Sequence, residues 1–457
     1  MVGGIKRAVN GVIDHYLAVC LFLSLFTMTI IGVGSIVIVG QLGLVLCVAG
    51  FLQKSAKADL RVLCPLLIYH IISLISGYAA FHRLVPGYPA TQSVFSVIYL
   101  LMACLSQQDL LLLRRLCVAW AGVIAAIGIG QFAFYAVAQN AKRLGGILGN
   151  PNALGIFMVI SWFALLSCGS QEEETEGPWL SLLLRMEPLL LIAAALALSL
   201  GSFLSMAAGI FILFVSKMRS ASFTEALLYL CRILARASLG VGTGILLYLT
   251  ATRTSAPWLC VPMLLYTTAL MLCWKRFLRF LLAYNWVSVT ITLAGLLVAA
   301  AAIAVRPSSI ATFAERLAMM RNGLGYIAAN PILGVGPYKW RELNLADADK
   351  FFNTSHIHNM FIHVGAELGL AAMVMLALVT VRCFRKKTAS GQLAQCTAFL
   401  FHNLIDTSFF YTGITSLMLM TASEPAKGGK EIPQVVLRLL LCAFALMFAY
   451  NLYLLSN

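Results

Sequence analysis

His356 and His358 stand where a long polar stretch of the chain enters an apolar one. A neutral imidazole at such a boundary is accessible from the polar side and titrates near neutral pH, which suits a general base. The histidines of this boundary, His356, His358 and His363, are therefore candidate bases, and Asn359 is predicted to bind substrate beside them. A His-x-His pair could instead bind a metal ion or cap a buried helix, but no nearby Cys/His cluster completes a metal site.

Arginines in the same polar stretch indicate a second capability, the binding of an anion. A guanidinium group binds phosphate oxygens through two parallel hydrogen bonds and stays charged at any relevant pH. Arg316 begins an amphipathic helix that the sequence predicts up to Ile327, ahead of the turn signals Asn330-Pro331 and Gly334-Val335-Gly336. Arg316 could also pair with a carboxylate.

Three further cations of this stretch are predicted to bind substrate, although solvent or lipid headgroups could hold them instead. They are Arg321, Lys339 and Arg341.

A glycine-rich segment with another arginine lies earlier in the chain. Arg143 is followed by Gly145, Gly146 and Gly149 and then by Asn150-Pro151-Asn152, a pattern typical of a helix start. Glycines let the backbone approach a ligand closely, and a helix N-terminus attracts anions. Arg143 is therefore a candidate phosphate ligand. The alternative is a capped helix start at the membrane, with Arg143 extended to its surface.

His402 and Asp406 are ionisable residues inside an apolar run, four positions apart. On a helix this spacing puts both side chains on one face. Ionisable groups within a bilayer are expensive and usually face a cavity or each other. We predict both residues as substrate contacts, with a mutually satisfied pair that braces the helices as the alternative.

The composition indicates that these residues belong to an integral membrane protein. Hydrophobic residues make up 61% of the 457-residue chain and charged residues 11%, against roughly 25% in a soluble domain. The net charge of +15 comes largely from basic residues beside apolar runs, where the cytoplasmic preference of Lys and Arg explains them, so nucleic-acid binding is not predicted. The 12 cysteines are scattered, which argues against a disulfide or zinc framework.

Apolar runs of about 20 residues, long enough to cross a bilayer as helices, recur along the chain. We predict an all-α polytopic membrane protein with about 13–15 transmembrane helices, forming one integral membrane domain over residues 1–457. Alternation of the runs leaves most basic clusters on the cytoplasmic side and residues 306–358 outside, as a large extracytoplasmic loop. Basic residues on the outer face oppose the orientation rule, so Arg143 and this loop invite a functional explanation.

These motifs, in this order, resemble the bacterial O-antigen ligase and O-antigen polymerase superfamily of envelope glycosyltransferases. The Arg143 segment resembles the family's first outer arginine motif. The run Pro331–Gly336, with Arg316 fifteen residues upstream, resembles its large outer loop. His358-Asn359, followed after nine residues by Gly369, resembles the ligase signature.

The resemblance extends over roughly residues 140–422 and has two departures. Ala372 stands where the ligase signature has a second glycine, and Ser202-Phe203-Leu204 stands where many members have Ser-Arg-Gly. No arginine is carried over at the second position, and the choice between ligase and polymerase stays open.

The resemblance implies a GT-C-like enzyme of the bacterial cytoplasmic membrane whose large loop acts outside the membrane. Its donor would be a glycan linked through diphosphate to a polyprenyl lipid, and its acceptor a glycan or a lipid-linked glycan. His358 would be the catalytic base, which positions or deprotonates the acceptor hydroxyl, while Arg143 and Arg316 hold the departing diphosphate. His356 and His363 are second choices for the base, and Asp347 or Asp349 is another alternative. Transfer would invert the anomeric centre and would need neither a metal ion nor another cofactor.

Two other functional classes stay open. A multispan transporter, such as a flippase of lipid-linked sugars, would place its ionisable residues at the membrane midplane in two related halves, whereas this chain concentrates charges in one outer loop. A non-catalytic assembly subunit would tolerate the loss of Arg143, Arg316 and His358 together. Transfer chemistry is the favoured prediction.

Overall fold

The computed structural model describes residues 14–31, 35–85, 88–169, 177–254, 256–304, 308–346, 352–385, 389–423 and 429–456. The candidate bases Asp347 and Asp349 lie outside the described residues, as does Arg306 at the start of the predicted loop.

Helices make up nearly all of the described structure. The eighteen α-helices among the described residues are α1 (Tyr16–Ile30), α2 (Ile36–Phe51), α3 (Leu60–Phe81), α4 (Tyr88–Met102), α5 (Gln107–Val137), α6 (Pro151–Gly169), α7 (Pro178–Leu196), α8 (Leu200–Met218), α9 (Phe223–Arg253), α10 (Cys260–Ala283), α11 (Asn285–Ala304), α12 (Ser308–Ala329), α13 (Lys339–Ala346), α14 (Met360–Leu368), α15 (Leu370–Arg385), α16 (Ser390–Ile405), α17 (Thr412–Ala422) and α18 (Gln434–Ser456). Two short strands, β1 (Ser55–Ala58) and β2 (Lys430–Pro433), pair antiparallel.

The helices confirm the prediction of an all-α polytopic membrane protein. Among the described residues, seven helices are long and apolar enough to cross a membrane, and the pair α10–α11, bent by 110°, raises the number to eight. This architecture follows from the apolar sequence, because a helix satisfies its backbone hydrogen bonds internally where lipid offers no partners.

Among the described residues, fewer helices have the length and hydropathy of a full span than the 13–15 that the sequence predicts. The sequence counted each apolar run as one span, but in α1, α2, α4 and α17 the apolar helix is only 10–17 residues long. The predicted span near residues 359–381 is divided between α14 and α15 at Gly369. Periodicity and hydropathy do not reveal such a break, because a single glycine leaves the apolar pattern intact.

The chain groups into two compact units, and the prediction of one integral membrane domain over residues 1–457 stays a prediction. The first unit comprises Met1–Arg114, Ala314–Lys386 and Asn403–Asn457. The second unit comprises Arg115–Phe313 and Lys387–His402.

In the first unit, α3 packs against α15 in antiparallel orientation. At the start of α3, Asp59 accepts the N–H of Arg61 and forms an ion pair with Arg382 near the end of α15 (2.8 Å). At the other end of α3, Ser76 donates to the backbone carbonyl oxygens of Leu333 and Glu367. The α3–α15 pair therefore supports the polar segments that precede α15.

In the second unit, α7 lies at the centre of a buried polar contact. Glu187 on α7 is fully buried and accepts hydrogen bonds from the indole N–H groups of Trp162 and Trp274, each at 2.8 Å. Arg236 on α9 donates to both carboxylate oxygens, at 2.8 and 2.7 Å. One carboxylate thus joins α6, α7, α9 and α10.

Candidate active site

Arg316 and Asp406 form an ion pair in the first unit. Arg316 lies on α12, and Asp406 is the first residue beyond α16. The guanidinium donates through Nη2 to Asp406 Oδ2 (3.1 Å) and through Nη1 to the carbonyl oxygen of Ile405 (2.7 Å). The two side chains are 14% and 7% exposed, so the pair is partly shielded from solvent while the guanidinium keeps further N–H donors.

His358 approaches the other oxygen of the same carboxylate. Its Nδ1 lies 3.2 Å from Asp406 Oδ1, which is ion-pair distance, although the direction of approach does not make a hydrogen bond. Asp406 Oδ1 also accepts the backbone N–H of Thr407 at 2.8 Å. The His358 side chain is 17% exposed, and among the described residues its Nε2 has no partner. The imidazole therefore turns Nδ1 toward a carboxylate and leaves Nε2 for a ligand.

Asn359 fixes the backbone beside His358. Its Oδ1 accepts the N–H groups of Phe361 and Ile362 at 3.0 and 3.1 Å, which caps the start of α14. Its Nδ2 donates to the carbonyl oxygen of Leu404 at 3.1 Å. The side chain predicted to bind substrate thus holds α14 against the end of α16, where Asp406 lies.

Two glycines of the predicted motifs, Gly334 and Gly369, lie where two backbone segments pack closely against each other. Gly334 and Gly369 have φ angles of +65° and +86°, a region that favours glycine. A Cβ on Gly334 would lie 2.3 Å from the backbone carbonyl carbon of Glu367, and a Cβ on Gly369 would lie 2.1 Å from the carbonyl oxygen of Ile332. The Pro331–Gly336 turn and the break between α14 and α15 are therefore two sides of one backbone contact.

The second-choice histidines contact aromatic rings, with His363 fully buried and His356 half-buried. His356 stacks on Phe410 with ring centroids 4.5 Å apart, and His363 meets the same ring edge-on at 4.9 Å. Burial lowers the pKa of His356 to about 4, and the nearby charges of His358 and Arg341 act in the same direction. His356 is therefore a weaker base at neutral pH than an ordinary histidine.

A buried glutamate that is not among the predicted site residues, Glu367, lies on α14. Glu367 accepts hydrogen bonds from the hydroxyl of Tyr88 and from the backbone N–H groups of Tyr338 (2.8 Å) and Trp340 (3.2 Å). The only signal for it in the sequence is a carboxylate inside an apolar run, four positions after His363.

The other predicted cations of the loop have contacts of their own. The Lys339 ammonium lies 5.6 Å from the centroid of the Phe81 ring, and Arg341 donates to the Ser355 hydroxyl at 3.1 Å. Arg321 is exposed on α12. The role of these three cations in substrate binding stays a prediction.

Arg143 belongs to the second unit, where the predicted helix start is present. Asn150 Oδ1 accepts the N–H of Asn152 at 2.8 Å at the beginning of α6. The Arg143 guanidinium donates through Nη2 to Asn152 Oδ1 (2.8 Å) and through Nε to the carbonyl oxygen of Ala197 (3.1 Å). Gly155 of α6 packs against Ser202, the position where many relatives in the resembled family have Ser-Arg-Gly. These contacts fix the guanidinium beside the start of α6.

His402 and Asp406 do not share a complete helix. His402 is buried on α16, which ends at Ile405, so the Asp406 side chain extends from the segment beyond the helix. The spacing rule assumed that the helix continued, and the hydrogen bonds of Asp406 to Arg316 and Thr407 belong to the chain after its end.

Part of the chain matches the model of a known protein family. Residues 239–377 match the family model described as O-Antigen ligase. No curated protein matches the chain. The matched residues include Arg316, His358 and Asn359, while Arg143 precedes them and Asp406 follows them.

Proposed function

We propose that the chain is a membrane glycosyltransferase, because the match of residues 239–377 to the O-Antigen ligase family model supports a glycan-handling function. Its donor is an oligosaccharide or polysaccharide linked through diphosphate to a polyprenyl lipid. Its acceptor is a glycan or a lipid-linked glycan. The protein transfers or polymerises the glycan on the outer face of the bacterial cytoplasmic membrane.

In the proposed reaction His358 is the general base. Nε2 takes the proton of an acceptor hydroxyl, whose oxygen attacks the anomeric carbon of the donor sugar. The new carbon–oxygen bond forms as the bond from the anomeric carbon to the diphosphate oxygen breaks, and the diphosphate leaves with the electron pair. Attack from the face opposite the leaving group inverts the anomeric centre.

Asp406 orients the His358 ring in the proposed reaction. Its carboxylate oxygen lies 3.2 Å from Nδ1, which leaves Nε2 to meet the acceptor hydroxyl. The same carboxylate holds Arg316, so the base and the cation keep a fixed separation.

Arg316 stabilises the charge of the leaving diphosphate in this proposal, and Arg143 is its second ligand by resemblance to the family. Preorganised cations in a site partly shielded from water can lower a barrier by several kcal/mol. Arg316 already has both terminal nitrogens engaged, so a diphosphate would use its remaining N–H groups or replace the Ile405 carbonyl.

A single observation carries the proposal, the meeting of Arg316, His358 and Asp406 in one partly exposed cluster. An accessible imidazole beside a guanidinium supplies both a base for a hydroxyl and a counter-charge for an anionic leaving group. Transfer of a sugar from a lipid diphosphate needs these two groups.

The test measures polyprenyl-diphosphate-linked glycan in cells that lack the native gene and carry wild type, His358→Ala or Arg316→Ala. We expect wild type to clear the pool and both variants, present at equal level in the membrane, to leave it on the outer leaflet. If both variants clear the pool as wild type does, the assignment of these residues is wrong. A pool that stays on the inner leaflet would support a flippase instead.

A further inference from the structure

We propose that His363 and Glu367 form a positioning pair that fixes the backbone of the catalytic histidine. The inference rests on the proposed function only for the role of His358, because the contacts of the pair are independent of it. His363 and Glu367 lie one turn apart on α14 and are fully buried, with Nε2 of the imidazole 3.6 Å from Oε2 of the carboxylate. Neither side chain can touch a substrate, so neither is a catalytic residue.

His363 holds the residue before His358 through its backbone. Its Nδ1 accepts the N–H of Ile357 at 3.3 Å. An acceptor at Nδ1 requires the neutral tautomer with the proton on Nε2, and that N–H faces Glu367. The Ile357 side chain is fully buried in a cluster with Met319 and Trp340. The imidazole therefore satisfies a buried amide that would otherwise have no partner.

Glu367 extends the same support to α13. Its carboxylate accepts the N–H groups of Tyr338 and Trp340, which lie at the N-terminal end of that helix. N–H groups at a helix start have no partner within the helix, and three donors converge on the Glu367 side chain when the Tyr88 hydroxyl is included. Glu367 thus connects α14, which follows His358, to the start of α13, which precedes His358.

Aromatic contacts join His363 to the segment that follows Asp406. The His356 ring stacks on Phe410 and the His363 ring contacts Phe410 edge-on, with centroids 4.5 and 4.9 Å away. Phe410 ends the short helical turn Ser408–Phe410, which begins two residues after Asp406. A change in the His363 ring therefore reaches the segments that carry both His358 and Asp406.

Two amide variants separate positioning from other roles. In His363→Asn the side-chain oxygen can occupy the place of Nδ1 and accept the Ile357 N–H, whereas in His363→Gln the amide lies one bond further out. Because a misplacement of about 1 Å costs about 10²-fold in rate, we expect His363→Gln to lose about that factor in transfer and His363→Asn to stay within about threefold of wild type.

A second readout follows His358 itself. Diethyl pyrocarbonate modifies accessible imidazoles, and fragmentation of the peptide by mass spectrometry assigns the modified residue. We expect faster modification of His358 in His363→Gln than in wild type, and the wild-type rate in His363→Asn. A merely structural role of His363 would lower the amount of folded protein without separating the two amides.

A third readout needs no variant. Residue-resolved hydrogen exchange of the wild-type protein should show the Ile357 amide protected, because it is buried and bonded.

Three results would overturn the proposal. They are wild-type transfer by His363→Gln, loss of transfer in both amide variants with His358 modification unchanged, and rapid exchange of the Ile357 amide in wild type. Loss of transfer in both variants with an unchanged rate of His358 modification would indicate that His363 itself acts as a base. If wild type transfers no glycan at all, the proposed function fails, and hydrogen exchange and modification still decide the positioning contact.

Discussion

The two units each contain an arginine paired with a carboxylate, and the pairs differ in what else contacts the carboxylate. Glu187 is fully buried and receives four hydrogen bonds, two from Arg236 and one each from Trp162 and Trp274. The Asp406 pair is partly exposed and faces an imidazole with a free Nε2.

The comparison shows that an arginine–carboxylate pair in a membrane protein does not by itself mark a site. A carboxylate whose oxygens are filled by rigid indole and guanidinium donors has no capacity for a ligand, and it braces helices. A carboxylate that leaves its partners accessible orients them for chemistry. The distinction lies in access and in remaining donors, which substitutions can test.

The largest effect should follow from removal of the proposed base, His358. His358→Ala should lower glycan transfer by about 10²–10⁴-fold, the contribution of a positioned general base. The measurement is transfer per folded protein, after purification of equal amounts. His82→Asn is the matched control, because His82 is exposed at a positive φ angle that asparagine also adopts. Equal losses in both variants would contradict a specific role for His358.

Asp406→Asn and Glu187→Gln test the two carboxylates against each other. Asp406→Asn removes the charge facing His358 and should lower transfer by about 10²-fold while the protein stays folded. Glu187→Gln leaves the half-buried Arg236 without its counter-charge and removes the charge of a fully buried carboxylate that four donors contact. It should lower the free energy of unfolding by about 3–5 kcal/mol, with normal transfer by the molecules that fold. Thermal unfolding and transfer, measured on both variants, separate the effects. The comparison fails if Glu187→Gln loses transfer and keeps its stability.

A smaller loss of transfer is expected when the shape of the Arg316 side chain changes and its charge is kept. Arg316→Lys keeps the positive charge but cannot bond Ile405 and Asp406 at once, so we expect a loss of about tenfold in transfer. Arg316→Ala should lose more, because it also leaves Asp406 without its counter-charge. Equal activity of the lysine variant and wild type would show that only the charge matters.

The glycine contact behind the cluster should affect stability. Gly334→Ala should lower the free energy of unfolding by about 1–3 kcal/mol, because the new Cβ meets the Glu367 backbone at a positive φ angle. The control is Gly325→Ala on α12, where no atom lies within 4 Å of the new Cβ and a small gain of about 0.4–1 kcal/mol is expected. Denaturation curves of both variants check the difference, and equal shifts would contradict the close contact.

The smallest effect is expected at the edge of the loop. Arg341→Gln removes a partly exposed side chain whose described hydrogen bond goes to Ser355, and an exposed pair of this kind contributes about 0–1 kcal/mol. Transfer should therefore fall less than about fivefold. A loss as large as that of His358→Ala would move Arg341 into the site.

Much of the fold was predictable because hydropathy reports directly on burial in a bilayer. The helix start before Pro151 and the turn after Asn330 were also readable, since asparagine, proline and glycine have local backbone preferences. The break at Gly369 was not, because it depends on the approach of Ile332, a contact between distant parts of the chain.

The members of the cluster were individually recognisable, but their arrangement was not. Arg316, His358 and Asp406 each stand out as polar residues in unusual positions, and the sequence offered His402 as the neighbour of Asp406 because only local spacing is visible. The contact of Asp406 with His358 joins residues 48 positions apart in the chain. Glu187 shows the same limit, since its partners lie on three other helices.

The most direct test of the central claim is a cryo-EM map of the wild-type protein with bound polyprenyl diphosphate. We predict diphosphate oxygens within about 3 Å of Arg316 guanidinium nitrogens, the distance of a charge-assisted hydrogen bond, with His358 Nε2 open to the space beside them. A diphosphate bound without contact to Arg316 and away from His358 would contradict the assignment of this cluster as the active site.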